Sequence, residues 1–139
     1  MDDEGQIVGI IAEMFEAISW SHDASPDLSA FKKSVLPDAL LVPAARPAVT
    51  TGIEAFVSRM AALHAGGSLK SFKERADRTI VKIFGNVAVA IGSFSADVDG
   101  SKSRGANGFL LVKDDGRWWI AGLAWDNERD DVLLPEELR

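Results

Sequence analysis

Leu110-Leu111-Val112-Lys113-Asp114-Asp115-Gly116-Arg117-Trp118-Trp119-Ile120-Ala121-Gly122-Leu123-Ala124-Trp125-Asp126 is the stretch that decides the fold. Two apolar, aromatic-rich runs flank Asp114-Asp115-Gly116, which predicts a hairpin closed by a three-residue loop with Gly116 at the left-handed position. Both runs carry large apolar residues at alternate and at intervening positions. A strand with one wet face alternates cleanly, so this pair reads as buried on both faces. Each side of the sheet then needs a cover: helices on one, a second subunit on the other.

Upstream, turn signals at Gly85-Asn86 and Asp99-Gly100 suit tight hairpins. With the closing loop they predict a meander of four long strands near 69–84, 87–98, 101–113 and 117–126. Before the strands the periodicity is helical. Ile7, Ile10, Ile11, Met14, Phe15 and Ile18 form an amphipathic stripe, with Asp2, Asp3 and Glu4 at its start, where the helix dipole favours negative charge. Ser25-Pro26-Asp27 predicts a cap and a proline at the first position of a short helix whose Leu28, Phe31 and Val35 face inward. Pro37, Pro43 and Pro47 leave room for short strands near Ala39–Val42 and Ala48–Thr50. A third helix opens at Thr51, with Glu54 completing a capping box, and stops at Gly66-Gly67. Helices first and a long antiparallel sheet after them mean a single α+β domain over 1–139. Three helices lie on one face, and the curved sheet wraps the N-terminal helix as a cone with an open mouth.

Composition narrows the function classes. The chain has 139 residues, 47% of them hydrophobic and 26% charged, an ordinary globular balance. A net charge of −6, with no basic cluster longer than Lys32-Lys33, speaks against nucleic acid and anionic membrane as partners. With no cysteine and only two histidines, thiol chemistry is excluded and a metal site is not expected. No phosphate-cradling glycine loop or nucleophile elbow is visible, so no cofactor is expected. The acidic start and the lack of a long apolar run predict a cytoplasmic protein.

The element order, the hairpin spacing, the closing Gly116-Arg117-Trp118-Trp119-Ile120 and the following Trp125-Asp126 resemble the nuclear transport factor 2-like superfamily. That group includes ketosteroid isomerases, SnoaL-like polyketide cyclases and many uncharacterised bacterial proteins. The resemblance spans helix one to about Glu128 and implies a cone fold and a dimer joined through the outer sheet face. It does not imply one reaction, since isomerases, cyclases, dehydratases, hydrolases and binding modules share the scaffold. A ketosteroid isomerase holds its enolate with a tyrosine and a protonated aspartic acid and uses a carboxylate base. Here there is no tyrosine; Phe15 takes that position, Leu41-Val42-Pro43 the base position and Asn107-Gly108 the second acid position.

Several residues are candidates for a site. His22 lies four residues after Ile18, so a continued helix would carry it to the mouth of the cone as an acid or base. The plain alternative is a histidine capping a helix C-terminus. Counting from a three-residue loop pairs Lys113 with Arg117, Val112 with Trp118 and finally Arg104 with Asp126, a polar rim above an apolar floor. A structural ion pair explains Arg104 and Asp126 equally well. Phe15, Trp20 and Trp125 are candidate pocket walls, and Arg46 sits in the proline-rich loop near the mouth. Glu74, within the charged run Lys73–Arg78, reads as part of a solvated strand that could also reach the pocket. The expectation is an apolar pocket for a small organic molecule. Cofactor-free acid–base chemistry with His22 and Asp126 as proton-handling groups stands beside a non-catalytic ligand-binding or dimeric interaction module. Trp119, Leu123, Leu111 and Phe109 form the expected dimer face.

Overall fold

The computed structural model, which describes residues 1–139, builds three helices and a five-stranded sheet in the expected order. Helix α1 (Asp3–Ala17) is capped by Asp2, whose side chain accepts the Gly5 N–H, and buries Ile7, Ile11, Met14 and Phe15. Helix α2 (Leu28–Ser34) is capped by Asp27, not Ser25: the Asp27 carboxylate reaches the Ala30 N–H, and Pro26 stays outside the helix. Helix α3 (Ile53–Gly66) starts after Gly52 without a side-chain cap and ends at Gly67 with φ 71°, where only glycine is unstrained. No helix is long and apolar enough to cross a membrane.

The strands are β1 (Val35–Val42), β2 (Phe72–Phe84), β3 (Val87–Val98), β4 (Ser101–Asp114) and β5 (Arg117–Asn127). They lie in the order β1-β5-β4-β3-β2, with β1 parallel to β5 and the rest an antiparallel meander. The second short strand expected near Ala48–Thr50 is absent; only Thr51 exchanges backbone bonds, with Leu41 (2.7 and 2.8 Å). The sheet folds over α1 as a cone, with the three helices on its inner face.

Two departures from the expected register redistribute the side chains. The closing loop has two residues, Asp115 (φ 50°) and Gly116 (φ 75°), because Asp114 pairs with Arg117. That is the twist-matched hairpin turn, and it shifts the pairing by one residue. Ala121 then forms a bulge: Leu111 faces Ile120 while Leu110 faces Gly122. The expected dimer face is therefore split. Phe109, Leu111 and Leu123 join the core with Trp118 and Ile120, whereas Trp119 turns outward opposite Val112. Arg104 pairs with Glu128, not Asp126, which lies opposite Ala106.

A second bulge, at Asp77-Arg78 of β2, sets two residues against Ser93. The fully buried Ser93 hydroxyl accepts the Arg78 N–H (3.1 Å), so the ladder interruption leaves that donor satisfied. Gly105 allows a close approach. A Cβ there would meet the Phe94 ring (2.5 Å) and the Asp126 carbonyl. At the far end Asp3 accepts both the Trp118 indole N–H and the Lys113 ammonium at 3.0 Å, tying the first turn of α1 to the closing hairpin.

Candidate functional site

A solvent-open groove of about 1390 Å³ runs from the exposed face of α1, past the α1–α2 connection, to the ends of β2, β3 and β4. Its position follows from where α1 stops. After Ala17 the chain turns along the edge of β2, and Trp20 exchanges backbone hydrogen bonds with Phe72 (2.7 and 2.9 Å). The Ser19 hydroxyl accepts the Glu74 N–H (2.9 Å) and lies 2.8 Å from the Phe15 carbonyl, to which it donates. The Trp20 indole stacks on Phe72 at 5.0 Å and donates to the Leu69 carbonyl. One face of α1 and the start of β2 are thus held as two walls.

Glu74 stands in one wall. By strand alternation it shares the inner face with Ala76, and its register neighbour Ala96 is buried. The carboxyl is half-buried, and loss of water alone pushes its pKa up from 4.5 to about 7. On the far side Arg104 grips Glu128 with two hydrogen bonds (3.0 and 3.2 Å). The Leu134 N–H (2.8 Å) and this guanidinium hold Glu128 below the usual carboxylate range. One groove therefore contains a carboxyl that changes charge near neutrality and another fixed as an anion. The first can give or take a proton at neutral pH.

No protein-family model matches the sequence, and no curated protein matches it. Solved structures do. An NTF2-like protein from Cytophaga hutchinsonii aligns with a TM-score of 0.70 at 12% identity, over 92% of this chain and all of the other. The fold is the NTF2-like fold. A Pseudomonas aeruginosa NTF-2-like protein of unknown function gives 0.69 at 16% identity over 91% and 98% of the two chains. A Novosphingobium aromaticivorans protein described provisionally as a scytalone dehydratase gives 0.72 at 11% identity over 91% and 85%.

Within this NTF2-like cone the sequence candidates scatter. Of the seven, only Trp20 and Arg104 line the groove. His22 is exposed at the tip of a tight turn that Ser21 and Ala24 close by exchanging backbone bonds (2.9 and 3.3 Å). Because α1 ends at Ala17, the helical spacing that would have carried His22 to the mouth is lost. Asp126 lies on the outer face, engaged by Arg129 (2.9 Å) and the Asn127 N–H (2.8 Å), which lower its pKa. Phe15 is core, 5.7 Å from the Phe94 ring, and Trp125 packs edge-on against Phe56. Arg46 donates to the carbonyls of Pro43, Ala44 and Ala45 and so braces its own loop.

The positions that resemble an isomerase site, Phe15, Leu41 and Asn107, are all buried. The Asn107 Oδ1 has no hydrogen-bond partner there. The expected apolar pocket floor is also absent from the groove, whose hydrophobic lining is mostly alanine. Glu74 is the residue sequence reasoning undervalued. Its signal was Phe72-x-Glu74-x-Ala76 alternating with Lys73, Arg75 and Asp77, which puts the glutamate on the apolar face of its strand.

Proposed function

We propose that this chain binds a small organic molecule in the groove beside Glu74 and that this carboxyl exchanges a proton with it. The observation that carries the reading is a half-buried, unpaired carboxyl in the wall of an open groove. A carboxyl kept out of water without a counter-charge is costly to keep in a fold, and such groups concentrate where they are used. Turnover by acid–base chemistry and simple ligand storage both fit this arrangement. They part on Glu74→Gln, which abolishes turnover but leaves a storage site able to bind. The test is a ligand screen of small acids, steroids, amines and polyketide-like aromatics, followed by a structure of a bound hit. Density in the groove and a pH dependence of affinity that Glu74→Gln removes would support the proposal. Hits that bind elsewhere, or that ignore the substitution from pH 5 to pH 9, would end it.

The second part of the proposal is a homodimer through the outer face of the sheet. Leu40, Val89, Ile91 and Leu110 are 43–54% exposed there. Val89, Ile91 and Leu110 lie on the neighbouring strands β3 and β4, and Leu40 of β1 lies in register with Leu110 across Gly122 of β5, so the four share one region of the outer face. Sedimentation at micromolar concentration should give twice the mass of one chain, and Leu110→Asp should give a folded monomer. A monomeric native protein would remove the dimer without touching the groove.

A further inference from the structure

We infer that the C-terminal segment, residues 128–139, is a clasp that holds the wall of the groove in place, so that docking of this segment and filling of the groove are coupled. The coupling rests on the groove being a ligand site, as proposed above; the clasp itself does not. It begins with one row of the sheet. Glu74 of β2, Ala96 of β3 and Ser103 of β4 lie in register, and all three line the groove. The wall is therefore only as fixed as the ends of these three strands are relative to one another.

The β2 end is the least braced of the three. β2 is an edge of the sheet, with β3 as its single neighbour. Its ladder is interrupted at Asp77-Arg78, so residues 72–76 pair with β3 as a short piece beyond the bulge. On the open side this piece has the backbone exchange with Trp20 and the bond to the Ser19 hydroxyl. A short edge piece beside a ladder break is where a sheet opens first.

The chain that follows β5 runs to this strand. Glu128 accepts two bonds from Arg104 of β4 and one from the Leu134 N–H. The Arg139 guanidinium donates to the Leu134 carbonyl (2.8 Å), and the short 3-10 turn Glu136–Leu138 packs against β2. In the sheet order β3 separates β4 from β2, so the segment bridges the three strands that carry the wall. Leu134 and Leu138 are only 7% and 3% exposed, yet neither belongs to the core cluster shared by the helices and the sheet. A segment anchored outside that core can leave without unfolding the cone. Two states result: docked, with the strand ends tied, and released, with the end of β2 free to move. Glu128 lines the groove as well, so the anchor of the segment and a ligand share one surface. A ligand that fits the tied wall binds the docked state better, and by linkage it holds the segment down.

Amide exchange and carbon-13 titration of the Glu74 carboxyl test the clasp in the full-length native, Leu138→Asp and Leu138→Ala chains. Neither measurement needs a ligand. In Leu138→Asp the amides from Leu134 onward should lose protection, and those of residues 72–76 should exchange about tenfold faster. The Glu74 midpoint should fall from about 7 toward 4.5 as water reaches the carboxyl. The β5 amides should stay protected. Leu138→Ala should move the same readings by less, which separates release from misfolding. A released segment with residues 72–76 and the Glu74 titration unchanged would overturn the clasp and leave the groove a ligand site. Terminal amides that stay protected in both variants would overturn it too, because burial of Leu138 would then not be what docks the segment.

Discussion

The inner and outer faces of the sheet treat their residues in opposite ways. Inside, Phe94, Phe109, Leu111 and Leu123 are covered, and the carboxyl of Glu74 has no partner. Outside, Val89, Ile91 and Leu110 stand bare, while Asp77, Asp126 and Glu128 each have an arginine. Strand alternation explains how residues reach a face, but not this reversal. The difference lies in the cover. Three helices strip water from the inner face, and the α1 residues that share the groove with Glu74 include Glu13 and Glu16 but no lysine or arginine. The open outer face lets charged side chains meet at cross-strand spacing, and its apolar patch stays uncovered. Where charge is unpaired and apolar surface is paired, a ligand is expected. Where the pattern is reversed, a protein partner is.

The largest expected effect breaks the comparison at Glu74. Its folded pKa, about 7, lies above the ordinary 4.5, so the folded chain holds more proton than the unfolded chain between those values. Stability is therefore highest below pH 4.5 as far as this group is concerned, and falls as pH rises through about 7. The full swing is about 3 kcal/mol. Denaturant unfolding across this range should show it in the native chain, and Glu74→Gln should flatten it. A native profile that rises with pH through the same window would mean that Glu74 is better hydrated than its position implies.

Two glycines of β4 sharpen the contrast between faces. Gly105 is buried on the inner side, where an added Cβ meets Phe94 and the backbone carbonyl of Asp126. Gly108 is exposed on the outer side with nothing within 4 Å. Gly105→Ala should destabilise by about 1–3 kcal/mol through overpacking. Gly108→Ala should be neutral, or stabilise by about 0.5 kcal/mol through lower chain entropy. Thermal unfolding of both variants makes the comparison within one strand. Equal effects would mean that the inner face is as loosely filled as the outer.

The same local rules made the fold legible and the site obscure. Long periodic runs, Gly67 and the turn pairs Gly85-Asn86 and Asp99-Gly100 each report directly on backbone geometry, so helices and long strands could be placed within a few residues. The site depends on register, where one residue exchanges the faces. Asp115-Gly116 makes a two-residue turn where three residues were counted, and the Ala121 bulge corrects only the strand beyond it. The bulge leaves no mark in a single sequence, whereas Asp115-Gly116 does carry the two-residue turn signal that the preceding Asp114 obscured. His22 failed for a different reason: four residues past Ile18 has spatial meaning only while the helix lasts, and it stops at Ala17. Glu74 was legible, because its flanking alternation was intact, but a charged run invites the reading of a solvated strand.

The smallest expected effect tests the paired side of the comparison. Glu128 joins Arg104 on β4 to the Leu134 N–H, and so anchors the C-terminal segment whose Leu134 and Leu138 are buried. Glu128→Gln keeps an acceptor for one donor but removes the charge that serves both. The tail should loosen before the sheet does: amide exchange at Leu134 should quicken while the β3 and β4 amides keep their protection. Because the Glu128 pKa is lowered, its contribution is present above the ordinary 4.5 and is lost as pH falls through the lower folded value. The difference between native and variant chains should therefore be steady from pH 6 to pH 8 and vanish in acid. That is the opposite slope to Glu74, and it follows from one carboxyl having an arginine and the other none.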